Sequence, residues 1–210
     1  MVEAFIHGIL LAFGLILPLG VQNVFIFNQG AIQPQFKQAL PAVLTAAFCD
    51  TLLILLAVQG VSLIIFQWDW LKQILYGVGF VFMLFIGYSL WKSAGTQTTV
   101  ENRGKTALTG RKQMLFAASV SIFNPHAILD TIGVIGTSSL QYEDERKWAF
   151  TLAAIGISWL WFLGLAAAGR MLRTADTSGK LIAVFNRISA ITIWGIACYM
   201  LITLLRGLIS

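Results

Sequence analysis

Asn124-Pro125-His126-Ala127-Ile128-Leu129-Asp130 lies inside an apolar run, residues 114–140, in which Asp130 is the only charged residue. Proline removes a backbone donor and clashes with the preceding turn, so a helix crossing this run breaks or kinks at Pro125. A counterpart, Leu17-Pro18-Leu19-Gly20-Val21-Gln22-Asn23, lies inside the charge-free run 4–27. Aligned on proline, Gly20 meets Ala127 and Asn23 meets Asp130. Broken backbone at membrane depth survives only where protein or water satisfies it. Two matching interruptions therefore decide how the rest of the chain is read.

The remaining apolar runs are 39–66 (charged only at Asp50), 74–91, 148–169 and 188–205. Each is near or above the ~20 residues that cross a hydrocarbon core as helix. The 210 residues are 58% hydrophobic and 11% charged, the balance of an integral membrane protein. Six spans use most of the chain and leave no soluble domain over. The first run has no basic leader and is long for a cleaved signal, so we expect it to be a span retained in the mature protein.

The long polar stretch 93–113 reads as a flexible linker between residues 1–92 and 114–210. Three spans per half is an odd number, so a repeated half must be inserted upside down. The third spans also rhyme, Gly87-Tyr88-Ser89-Leu90 against Cys198-Tyr199-Met200-Leu201. The expected fold is all-α: a polytopic membrane protein of six transmembrane helices, an inverted repeat of two three-helix halves with helices 1 and 4 broken at proline. Gly8/Ala12, Gly79/Gly87 and Gly164/Ala168 offer small faces for close helix approach. Trp68, Trp70, Trp91 and Trp148 fall at span ends, where aromatic belts form.

Basic residues set the orientation. Lys37, Lys92, Arg103, Lys105, Arg111, Lys112, Arg170, Arg173, Lys180 and Arg187 belong to the 1–2, 3–4 and 5–6 connections, against Lys72, Arg146, Lys147 and Arg206 on the other side. That imbalance makes the first side cytoplasmic and puts both termini outside. Basic loops there suggest lipid headgroups as neighbours. No basic, aromatic-studded domain supports nucleic-acid binding. Cys49 and Cys198 lie in apolar runs and read as small buried residues, with no spacing for zinc or disulfides.

Asp50 and Asp130 carry the functional reading. Charge at the bilayer centre costs ~2.5–3.5 kcal/mol even on insertion scales, so an intramembrane carboxylate marks a functional site by default. No Lys or Arg lies in any of the six runs. The balancing cation must come from a proton, a metal ion or a cationic substrate. Gln22, Asn23, Asn124 and His126 are further polar residues at membrane depth, beside the breaks. Corresponding broken helices point to a transporter binding site. The freed start of a half-helix suits a carboxylate, and the aspartates suit an ammonium or guanidinium. Desolvation favours a neutral carboxyl group, so protonation of an empty site and ionisation on substrate arrival would couple transport to protons. Three structural alternatives stand beside this: Asp130 capping the backbone freed by Pro125, a purely structural role for Asp50, and His126 bonded to backbone at a helix start.

At these residues the chain resembles the LysE family of basic amino-acid exporters, especially its arginine-exporter branch. Ile16-Leu17-Pro18-Leu19-Gly20-Val21-Gln22-Asn23-Val24-Phe25 and Asn124 to Thr131 are similar to its two signature stretches. Phe48-Cys49-Asp50 resembles the aspartate of its second span, and Ser158 to Leu165 its fifth span. Val21 departs from the pattern, standing where the arginine branch usually has a second proline. The resemblance implies export of L-lysine or L-arginine from the cytoplasm across a bacterial inner membrane, with Asp50 and Asp130 as the residues carried over, and the proton coupling argued above would drive it. It implies no enzyme activity and no cofactor, and leaves homo-oligomerisation open. A divalent metal-cation exporter is the alternative. Transition metals want several His, Cys or Met ligands together, and His7 and His126 are the only histidines. A membrane thiol–disulfide carrier would need cysteines at equivalent places in the two halves, and Cys49 and Cys198 are not equivalent.

Overall fold

A computed structural model describes residues 1–18, 20–60, 69–95, 107–176 and 179–209. Its regular elements are α1 (Val2–Ile16), α2 (Val21–Ile32), α3 (Phe36–Val58), α4 (Asp69–Gly95), α5 (Gly110–Ile122) and α6 (Pro125–Asp130). A π-helical stretch (Thr131–Gly136) and α7 (Thr137–Ser139) follow, then α8 (Asp144–Ala175) and α9 (Lys180–Ile209). No strand occurs among the described residues. Helices α3, α4, α8 and α9 are each long and apolar enough to cross a membrane. Helices α1 and α2 meet at a bend of 81°, and Gly110–Ile122 meets Ala127–Ser139 at 61°. If each bent pair forms one span, the total rises to six.

Helix α8 is the central element, packed against α1, α2 and α3. Helix α3 packs in turn against α5 and the π-helical stretch, while α4 and α9 lie along one another. Small residues permit the closest crossings. A Cβ on Gly30 of α2 would lie 2.1 Å from the carbonyl oxygen of Ala166, and one on Gly169 of α8 would lie 2.1 Å from that of Phe27. Gly8 approaches the Phe150 carbonyl, Gly79 meets Pro125 and Met200, and Gly87 meets Trp194.

The expected pair Gly164/Ala168 is not at a crossing: nothing lies within 4 Å of a Cβ on Gly164, and Ala168 is exposed. The face of α8 that meets α2 carries Ala166 and Gly169. Two residues turn a helix by about 200°, so small residues at the right spacing pointed the wrong way. Gly30→Ala should therefore destabilise the protein by ~1–3 kcal/mol, because the obstruction is backbone and cannot rotate aside. Gly164→Ala should be neutral. Thermal unfolding of the two variants in detergent decides this; equal midpoints would refute the tight crossing.

The turn after α2, the start of α5 and the end of α8 meet on one face. Arg170 Nη1 donates to the carbonyls of Gln33 (3.1 Å) and Pro34 (2.6 Å), and Arg173 Nη1 to those of Ile32 (2.8 Å) and Gln33 (2.6 Å). Cations at the C-terminus of α2 satisfy its orphan carbonyls and its dipole. Gln113 Nε2 donates to the carbonyls of Gln38 and Leu108, both at 2.9 Å. Gln113 is buried in α5 rather than part of a flexible linker, and α4 continues to Gly95. The intervening residues 96–106 lie outside the described ones, as does Trp68. Trp70, Trp91 and Trp148 are exposed near helix ends. Cys49 is partly buried, but Cys198 is exposed on α9, contrary to its reading as a buried residue.

Three apolar clusters organise the interior, around Phe25, Ile26 and Phe162, around Ile54, Ile135 and Phe150, and around Val21, Met83 and Ile193. The site lies where they meet.

Candidate functional site

Helix α1 stops at Ile16, and α2 begins at Val21. Asn23 fastens the two ends: its Nδ2 donates to the carbonyls of Ile16 (2.6 Å) and Pro18 (2.8 Å). Trp161 Nε1, from α8, donates to Asn23 Oδ1 at 3.3 Å. The carbonyls at the end of α1 are thus satisfied by a side chain. The start of α2 is not: its N-cap is Gly20, extended and without a side-chain cap. The Val24 N–H is the first to bond back into the helix, to the Gly20 carbonyl at 3.1 Å.

The other interruption is built differently. Asn124 caps α6 with its own side chain, Oδ1 accepting from the Ala127 N–H at 3.4 Å. Pro125 takes the first helical position, where its missing N–H costs nothing. Directly after Asp130 the helix widens into the π-helical stretch Thr131–Gly136, a distortion frequent at functional sites.

Both interruptions border one cavity of about 450 Å³. That is within the ~300–1,000 Å³ typical of small-molecule sites. Of the residues singled out from sequence, Pro18, Gln22, Asn23, Asp50, Asn124 and Asp130 line it. Pro125 does not, and is packed instead beside Gly79. His126 is the second residue of α6, and its side chain lies outside the described residues. Thr131, Ser158 and Thr192 add hydroxyls, and Ile54, Met83 and Phe162 add apolar wall.

Ser158 is the partner that sequence reasoning missed. Its Oγ donates to Asp50 Oδ2 at 2.5 Å across the α3–α8 contact. One residue on, Trp159 Nε1 donates to Thr51 Oγ1 at 3.0 Å. Ser158, Trp159 and Trp161 thus tie α8 to Asp50, Thr51 and Asn23. Its only trace in the sequence is a hydroxyl followed by Trp159 and Trp161 in run 148–169, which does not distinguish it from a serine bonded to its own backbone. Gln22 is only 8% exposed, and its Nε2 has no hydrogen-bond partner. Among the described residues, no three His, Cys, Asp or Glu side chains come together as a metal site would require. Two carboxylates, hydroxyls, amides and apolar wall suit a small molecule with a cationic group and an apolar stem.

Comparison with known proteins agrees in kind. Residues 13–204 match the family model described as LysE type translocator. The chain is 53% identical over 197 residues to YisU of Bacillus subtilis (strain 168), named as a candidate amino-acid transporter; the match covers 94% of this chain and 88% of that protein. It is 34% identical to the arginine exporter protein ArgO of Klebsiella pneumoniae (strain 342), over 92% of this chain and 90% of the relative. It is 32% identical to ArgO of Shigella flexneri, over 94% and 92%. No solved structure matches.

Proposed function

The chain belongs to the LysE family of translocators, a multi-pass membrane protein, and from that premise we propose that it is a secondary transporter exporting basic L-amino acids, lysine or arginine, from the bacterial cytoplasm. The observation that carries this is the single cavity bordered by Asp50, Asp130 and both helix interruptions. The carboxylates of Asp50 and Asp130 receive the substrate's side-chain cation. The apolar wall receives its methylene stem. A proton competes with the substrate cation for these carboxylates, which couples export to the proton-motive force. The relatives named as arginine exporters support the substrate class.

An inverted repeat is part of the same reading. Exchanging the halves carries α3 onto α8, α4 onto α9 and the α1/α2 pair onto α5/α6. The pairings α3 with α8, α4 with α9, α8 with α1 and α2, and α3 with α5 and the π-helical stretch suit such an exchange. The side bearing Arg170 and Arg173 faces the cytoplasm in this reading, following the bias of Lys and Arg. The test is counterflow in proteoliposomes. Preloaded unlabelled arginine or lysine should drive uptake of labelled arginine, and an imposed pH gradient should accelerate net flux. Uptake no greater than in protein-free vesicles, with leucine or glutamate driving it equally poorly, would overturn the proposal.

A further inference from the structure

We infer that Gln22 and the uncapped start of α2 form the recognition site for the substrate's α-carboxylate, so that the protein reads a free carboxylate as well as a cation. This rests on the proposed amino-acid transport and fixes which end of the substrate lies where.

Three observations carry it. First, α2 is twelve residues long and begins in the cavity wall without a side-chain cap, so the N–H groups of Val21, Gln22 and Asn23 have no intrahelical acceptor. The positive end of the helix dipole adds to them. Second, Gln22 lines the same cavity, is nine-tenths buried, and has a side-chain donor, Nε2, with no partner. A buried donor left unsatisfied is rare in native proteins and calls for a missing acceptor. The terminal torsion of glutamine is broad and roughly two-fold, so rotation about it can present that donor to a ligand. Third, the competing acceptor is already engaged. Asn23 Oδ1 accepts from Trp161 and its Nδ2 holds the end of α1, which fixes where α2 begins without supplying anything to its free N–H groups.

The second half offers no equivalent. The first turn of α6 is closed by the side chain of Asn124. The two interruptions are therefore unlike: one has free donors, and the other is self-capped and leads to Asp130. A zwitterion with a side-chain cation has its carboxylate at α2 and its stem directed away from it, toward Asp50 and Asp130. Gln22 is accordingly a specificity residue for the carboxylate and contributes nothing to recognition of the guanidinium.

Substrates that lack the carboxylate test this directly. In proteoliposomes, unlabelled arginine, agmatine and arginine amide compete against labelled arginine. In the wild-type protein agmatine and the amide should compete at least about tenfold more weakly than arginine, the loss expected when hydrogen bonds to a charged group are removed. Gln22→Leu should weaken arginine about tenfold and leave agmatine where it was, narrowing the difference to what the backbone N–H groups of α2 supply. Agmatine matching arginine in the wild type would overturn the inference without any variant. So would Gln22→Leu weakening both ligands equally, which is the behaviour of a packing residue. Leucine matching arginine would instead remove the basic-substrate reading. The carboxylate site would then be judged by isopentylamine against leucine in the same assay, with equal competition overturning it.

Discussion

Asp50→Asn should insert and fold as the wild type does and lose arginine export by on the order of 100-fold or more. The substitution keeps shape and keeps an acceptor for Ser158 Oγ, which donates to Asp50 Oδ2 at 2.5 Å. What it removes is charge. Removing charge from a spanning helix eases insertion, so loss of expression is not the expected cause of any defect. A substrate cation left in the cavity without its counter-charge faces the ~3–5 kcal/mol penalty of an uncompensated buried ion. Ser158→Ala removes one hydroxyl donor to a charged group, worth ~1.5–3 kcal/mol, and should slow export by roughly tenfold. Efflux from proteoliposomes at matched protein content, with monodispersity checked in detergent, separates these outcomes. If Asp50→Asn exports at the wild-type rate, its carboxylate serves the α3–α8 contact and not the substrate.

The graded pair also shows what the sequence does and does not reveal. Asp50 is conspicuous because a single acid in run 39–66 violates the composition of everything around it. Pro18 and Pro125 are conspicuous for a similar reason, and helices end or begin beside both. Ser158 gives no such signal. A hydroxyl is tolerated in any spanning helix by bonding back to its own backbone, as Ser121 and Thr192 do. Nothing in one sequence tells those apart from a residue that reaches across to Asp50. Facing is equally hard to read. A soluble helix shows its buried side by an apolar stripe, but a spanning helix is apolar all round. Gly164 and Gly169 therefore look alike until α2 is seen against one of them. The difference between the two interruptions is hidden too, because whether Asn23 or Asn124 caps its own helix depends on where each amide points.

Arginine and lysine should outcompete leucine by on the order of 100-fold at neutral pH, and glutamate by more. Asp50 accepts its hydrogen bond from Ser158, a neutral donor, and no Lys or Arg occurs in the apolar runs that build the cavity. Leucine could occupy the apolar wall, but it brings no charge for the side-chain end of the site. An uncompensated buried charge costs ~3–5 kcal/mol, and ~1.4 kcal/mol is a factor of ten in affinity. Glutamate adds a like charge to that deficit. Protonation offers the one escape. As pH falls the carboxyl groups take up protons, the charge left by leucine disappears, and the preference for arginine should shrink. The sign is specific: acid should bring the two ligands together by weakening arginine. Competition against labelled arginine efflux at two pH values reads both effects at once. A preference unchanged by pH would mean that a permanent charge or shape alone selects the substrate, and equal competition by leucine at neutral pH would leave the cation-binding role of the aspartates without support.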